Sequence, residues 1–130
     1  MSWLLRRSGG RDTGWRDLTA VIATTVQSGR LLVRRKADDL SVVLDDLAFV
    51  EAPTSNNIPL PRMAVGFRPR YRLRGDWYPS LGYAAGGSLG ITALGYGNLY
   101  FASSGVAMSA TLTCDAAGVF PTSFPGVVAA

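Results

Sequence analysis

Leu31-Leu32-Val33-Arg34-Arg35-Lys36-Ala37-Asp38-Asp39-Leu40-Ser41-Val42-Val43-Leu44-Asp45 reads as two strands and the turn between them. On the return strand Leu40, Val42 and Leu44 fall on one face, and Ser41, Val43 and Asp45 on the other. That period of two belongs to extended chain. The polar Lys36-Ala37-Asp38-Asp39 between the strands makes the unit a β-hairpin with a loop of about four or five residues. Its aspartates Asp38, Asp39, Asp45 and Asp46 lack the spacing and the closing glutamate of a calcium loop. They are expected to serve turn chemistry and to pair with Arg34 and Arg35.

Downstream of the hairpin, Pro53, Asn56, Asn57, Pro59 and Pro61 mark an extended loop over residues 48–61. It leads through Gly66 and Pro69 into Arg70-Tyr71-Arg72-Leu73-Arg74. Alternation there predicts a short strand, with Arg70, Arg72 and Arg74 on one face and Tyr71 and Leu73 on the other. Gly75-Asp76 is expected to turn the chain into an aromatic loop, Trp77 to Tyr83. Glycine-rich strands follow. Leu89, Ile91 and Ala93 are expected inward, and Gly95-Tyr96-Gly97-Asn98 reads as a tight connection before Leu99-Tyr100-Phe101. From Val106 to Cys114 a longer strand turns Met108, Ala110, Leu112 and Cys114 inward, with Ser109, Thr111 and Thr113 outward. Phe120 and Phe124 both precede prolines, so the tail reads as an extended cap.

Upstream, residues 14–26 favour strand followed by an irregular turn, although Asp17 could cap a single helical turn from Leu18 to Ala23. Trp15 is expected in the core. Residues 1–13 read as an extended arm ahead of one domain, 14–130. Trp3, Leu4 and Leu5, followed by Arg6, Arg7 and the Gly9-Gly10 joint, need cover from water. They either fold back on the domain or dock on a neighbouring subunit. Short alternating runs separated by Gly, Pro and Asn turns, without an amphipathic helix, predict an all-β fold. The expected form is an antiparallel β-sandwich or Greek-key barrel with Leu40, Val42, Leu44, Phe67, Leu89, Ile91 and Leu112 in its core.

Composition narrows the chemistry. The 130 residues hold 48% hydrophobic and 17% charged side chains, enough to bury a core without staples. Histidine is absent, which removes the commonest general base and a common metal ligand. Cys114 is the single cysteine, so neither an internal disulfide nor a zinc site is available, and no cofactor or metal is expected. The net charge of +4 is too small to indicate nucleic-acid binding without a clustered groove. No apolar run reaches the ~20 residues a membrane helix needs. The opening residues lack signal-peptide form, so a soluble chain is expected. Gly86-Gly87-Ser88-Leu89-Gly90 has no lysine at phosphate-loop spacing and reads as a turn.

A family resemblance rests on an ordered set of pieces. These are Asp12-Thr13-Gly14-Trp15-Arg16-Asp17-Leu18, Gly29-Arg30-Leu31-Leu32-Val33-Arg34-Arg35, Leu40-Ser41-Val42-Val43-Leu44-Asp45-Asp46-Leu47, Gly66-Phe67-Arg68-Pro69, Gly87-Ser88-Leu89-Gly90-Ile91 and Pro121-Thr122-Ser123-Phe124-Pro125-Gly126. In that order they resemble the small all-β domain at the ends of tail and fibre proteins of phages that infect actinobacteria. The resemblance implies a non-enzymatic virion surface protein, usually trimeric, on the exterior of tail or capsid. It would contact other virion proteins and the host surface, and no catalytic residue carries over. That family's domain commonly ends a long protein, whereas here it follows a short arm, which also fits a minor tail protein or a capsid decoration protein. Trp3, Leu4, Leu5, Arg6 and Arg7 are then candidates for virion docking, and Arg70, Arg72 and Arg74 for a homotrimer seam facing acids such as Asp38, Asp39, Asp45, Asp46 and Glu51. A lectin-like module is the alternative. It would stack sugars on Trp77, Tyr78, Tyr83, Tyr96 and Tyr100, with Asp76 or Asn98 taking hydroxyls. An enzyme would need a carboxylate pair in a cleft, and most acids here read as turn or surface residues.

Overall fold

The central hairpin is longer and tighter than its alternation suggested. A computed structural model describes residues 11–50, 57–81, 86–103 and 105–129. Strands β2 (Val26–Lys36) and β3 (Asp39–Phe49) are joined by only two residues, Ala37-Asp38, with Lys36 paired to Asp39. Such a loop demands positive φ, and Ala37 supplies it at 52°.

Around the hairpin lie β1 (Arg16–Asp17), β4 (Ile58–Pro59), β5 (Leu73–Pro79), β6 (Gly87–Ile91), β7 (Gly97–Tyr100), β8 (Met108–Asp115) and β9 (Val127–Val128). They form one sheet in the order β4-β7-β6-β5-β8-β3-β2-β1-β9, antiparallel at every pairing. The expected all-β antiparallel fold is therefore observed, as a single sheet curled into a half-barrel. Curling happens at β5. From Leu73 to Trp77 it pairs with β6, but it reaches β8 only through Tyr78 and Pro79. Elsewhere the two halves face each other across one core, in which Leu31, Val33, Leu40, Val42 and Leu44 meet Leu73, Trp77, Leu89, Ile91 and Leu99. At Gly75 they approach closely, since a Cβ there would lie 2.2 Å from Leu112 Cδ2. All seven expected core residues belong to this cluster, Leu112 as a partly buried member.

A bulge bends the hairpin. The register slips between Ser28 and Arg30 on β2, and between Leu44 and Leu47 on β3 and its β8 partner. Gly29 (φ 81°) and Asp46 (φ 52°) sit at that point in left-handed conformation. The Asp46 carboxylate accepts bonds from Ser80 Oγ (2.5 Å) and Ser109 Oγ (3.1 Å), which ties the bend to β5 and β8.

Arg35 closes one end of the half-barrel. It continues the inward row Leu31, Val33, Arg35 and is 1% exposed. Its Nε donates to Ala37 O (2.9 Å). Nη1 donates to the carbonyls of Gly66 (3.1 Å), Ala117 (3.0 Å) and Val119 (3.2 Å), and Nη2 to Gly118 O (2.7 Å). Asp38, at 3.6 Å and largely exposed, adds a weak ion pair. Burial lowers the Arg35 pKa, yet an arginine stays charged at any pH a protein meets. The carbonyl dipoles therefore solvate a full charge.

Several expectations change. Gly75-Asp76 runs inside β5, because Gly75 supplies the space Leu112 fills. Tyr71 faces water at 75% exposure. The alternation lapses there because Pro69 bridges to Ala116 and Arg70 N bonds Asp115 O, which holds residues 69–71 as a corner before β5 starts. Ala93 is exposed in the turn closed by Gly95 N to Thr92 O. Trp15 is half-buried, with the Arg34 guanidinium 5.6 Å above its ring. Arg34 pairs with Asp12 and Asp45 with Arg30, so of the expected hairpin ion pairs only Arg35–Asp38 forms. After β1 the chain makes one 3-10 turn, Thr19–Val21, with Asp17 Oδ1 accepting from Thr19 N (2.9 Å). Cys114 is half-buried against the core, as expected of a small packing residue, and burial raises its thiol pKa.

Candidate functional site: the outer face of β5, β6 and β7

Strand register brings a set of polar and aromatic side chains together on the outside of the smaller half of the sheet. Leu73, Gly75 and Trp77 face the core, so Arg74, Asp76 and Tyr78 face out. Across the ladder Asp76 is level with Ser88, and Ser88 with Tyr100. One step along, Arg74 is level with Gly90 and Gly90 with Asn98. Gly90 carries no side chain, and the Tyr100 ring leans over the gap, 3.6 Å from where a Cβ would stand.

Between these rows runs a shallow, open groove. One depression of about 670 Å³ is bounded by Arg74, Asp76, Ser88, Tyr100 and Phe101. A second, of about 390 Å³, continues past Tyr78 and Gly86 and shares Asp76, Ser88 and Phe101 with the first. The side chains of Arg74, Asp76, Ser88 and Asn98 make no hydrogen bond or ion pair among the described residues.

Phe101 forms the rim, and its conformation is unusual. Its φ is 65°, and 68% of it is exposed. The left-handed region costs an L-residue about 1–2 kcal/mol, and a bulky residue there is an outlier. Trp77 helps fix this geometry from below. Its buried indole Nε1 donates to Tyr100 O at 3.0 Å, and Gly87 lets the two approach, since a Cβ there would lie 2.2 Å from the same carbonyl.

The sequence-derived candidates thus divide. Tyr78 (64% exposed) and Tyr100 share the groove face, with Asp76 and Asn98 beside them. Trp77 does not belong with them as a stacking ring: at 1% exposure it is a core residue, because alternation from Leu73 carries it inward. Tyr96 lies beyond the other end of β7, with the Arg62 guanidinium 4.4 Å over its ring. Tyr83, Trp3, Leu4, Leu5, Arg6 and Arg7 lie outside the described residues. Arg70, Arg72 and Arg74 are all exposed and make no ion pair among the described residues, but only Arg74 stands on a strand. Sequence reading missed Phe101 and Ser88 as site residues. Alternation through Ser88-Leu89-Gly90 marks Ser88 as outward, whereas no sequence signal announces positive φ at a phenylalanine.

Among the described residues no group of three or more His, Cys, Asp or Glu side chains is placed to hold a metal ion, and no helix is long and apolar enough to cross a membrane. No protein-family model matches the chain, and a search of curated proteins likewise returns no match.

Proposed function

We propose that this chain is a non-enzymatic structural protein of a bacteriophage virion, a surface-exposed minor tail or fibre-type β domain that works as a homotrimer. It contacts neighbouring virion proteins and presents a face to the host surface. One observation carries this reading: the sequence pieces that resemble such domains lock onto one another. Arg16 donates through Nε to Pro125 O (2.9 Å) and through Nη2 to Gly126 O (3.1 Å). Arg35 binds Gly66 O (3.1 Å), and the Phe67 and Phe124 rings meet edge to face at 6.2 Å. Pieces far apart in the chain form a single joint, as they would if together they specify one domain type.

The test is detection in particles. Antibody raised against the purified chain should label intact virions of the phage that encodes it, and the labelled position separates tail from capsid decoration. Purified virions lacking the chain by mass spectrometry would overturn the proposal. The lectin-like alternative is favoured by the groove, where two tyrosines and unpartnered polar side chains share a face.

A further inference from the structure

We infer that the groove on the outer face of β5, β6 and β7 binds a neutral oligosaccharide. The inference deepens the host-contact part of the proposed function and rests on it, but it concerns chemistry that the isolated chain must display.

Four features point to this ligand. First, Tyr100 lies over Gly90 and Phe101 lines the groove beside it, giving flat apolar surface on an otherwise polar face. The C–H face of a pyranose ring packs against such surfaces, while its hydroxyls need polar partners around the edge. Second, those partners are present and unspent. Arg74 offers donors only, Asp76 acceptors only, and Asn98 both, and none is satisfied within the described residues. Vicinal hydroxyls present donor and acceptor together, which planar side chains of this kind meet in pairs. Third, the charges of Arg74 and Asp76 cancel. A phosphate or acidic peptide would confront Asp76, and a cationic ligand Arg74, so the matching ligand is polar and uncharged. Fourth, the groove is shallow and runs across three strands. Small-molecule pockets enclose most of their ligand, whereas an open trough suits a chain of linked rings lying across it.

The backbone adds an independent observation. Phe101 holds a left-handed conformation and keeps its ring largely in water, and both are unfavourable. The other left-handed non-glycine residues have structural reasons: Ala37 closes a two-residue hairpin, and Asp46 anchors Ser80 and Ser109. At Phe101 the preceding carbonyl is held by Trp77 Nε1, and the conformation turns the exposed ring to the groove. Strain kept at an exposed aromatic is the pattern of a contact residue. Because the site stands on paired strands, little ordering is needed when a ligand binds.

The test uses the purified full chain on a printed surface carrying neutral oligosaccharides, acidic oligosaccharides and proline-rich peptides. Titration calorimetry with the best-retained neutral glycan follows. Retention of neutral glycans is expected, with Phe101→Ala and Asp76→Asn each weakening binding by about tenfold or more, and Val65→Ser, in an exposed turn elsewhere, leaving it unchanged. Thermal melts check folding. Asp76 is an exposed strand residue, so D76N keeps the test decisive if F101A melts early. Retention of peptides alone, of acidic glycans alone, or of nothing would overturn the inference, as would neutral-glycan binding that both variants preserve. A blank array beside labelled virions would sink this inference and leave the virion proposal standing; the reverse result would do the opposite.

Discussion

Arg35 donates to five backbone carbonyls drawn from three parts of the chain, the β2–β3 loop, the Gly66 turn and residues 117–119. Replacing it with methionine keeps some volume but strands those acceptors in a buried place. We expect Arg35→Met to cost about 3–5 kcal/mol in urea unfolding. Arg35→Lys should lie between the two, since one ammonium cannot reach carbonyls spread over three nitrogens. A loss under about 1 kcal/mol for R35M would show that water satisfies the carbonyls instead. Asp12 makes a second prediction. The Arg34 guanidinium holds its pKa at about 2, with help from the Gly14 N–H, against an ordinary 3.8. A depressed carboxylate contributes stability that is complete above the unfolded value and is lost as pH falls through the folded one. Asp12→Asn should therefore be less stable than wild type at pH 7, and the two should converge between pH ~4 and ~2. Parallel acid limbs in circular dichroism would refute that coupling.

At the scale of elements, the bulge that bends β2 and β3 depends on Gly29. A Cβ there would lie 2.1 Å from the Asp46 carbonyl oxygen, and φ is 81°. Gly14 also has positive φ, 66°, but open space around it. Gly14→Ala should cost about 1–2 kcal/mol from backbone strain alone. Gly29→Ala should cost roughly 2–4 kcal/mol, strain plus a clash with backbone that cannot yield. Equal losses would mean that the bulge relaxes freely. These elements also show what sequence reading can reach. Leu40, Val42 and Leu44 revealed their strand because one face is buried and one wet, and β8 did the same. The Arg70-to-Arg74 alternation misled because a bridge at Pro69 and a bond at Arg70 hold the corner, and both partners lie near residue 115. The hairpin aspartates point to Arg35 as an ion-pair partner, and the Asp38 pair forms, but its place in the row Leu31, Val33 is what buries it. Its carbonyl partners come from turns whose positions no local pattern encodes. Of the site, alternation gave the outward facing of Ser88 and left the cross-strand rows invisible, because register depends on which strands pair.

For the whole molecule, the exposed Arg70 and Arg72 make the proposed trimer testable. Arg74, the third arginine expected at the seam, stands on β5 and lines the groove. Acids of a neighbouring subunit would give the first two ion-pair partners. We expect replacement of both by serine to shift the mass seen by light scattering from trimer to monomer. Added salt should weaken the wild-type assembly in the same direction. A double variant that stays trimeric would move the seam elsewhere.

Closure of the half-barrel has a further consequence, for how the chain comes to fold at all. β1, at residues 16–17, is covered by β9, at residues 127–128, and the guanidinium of Arg35 finds most of its acceptors at residues 117–119. During synthesis the first strands leave the ribosome long before their last partners exist. Until then Arg35 keeps its shell of water, and the apolar row beside it cannot be sealed. Native contacts of such sequence separation are slow to form, so the half-barrel can close as a unit only once residues 117–128 have emerged.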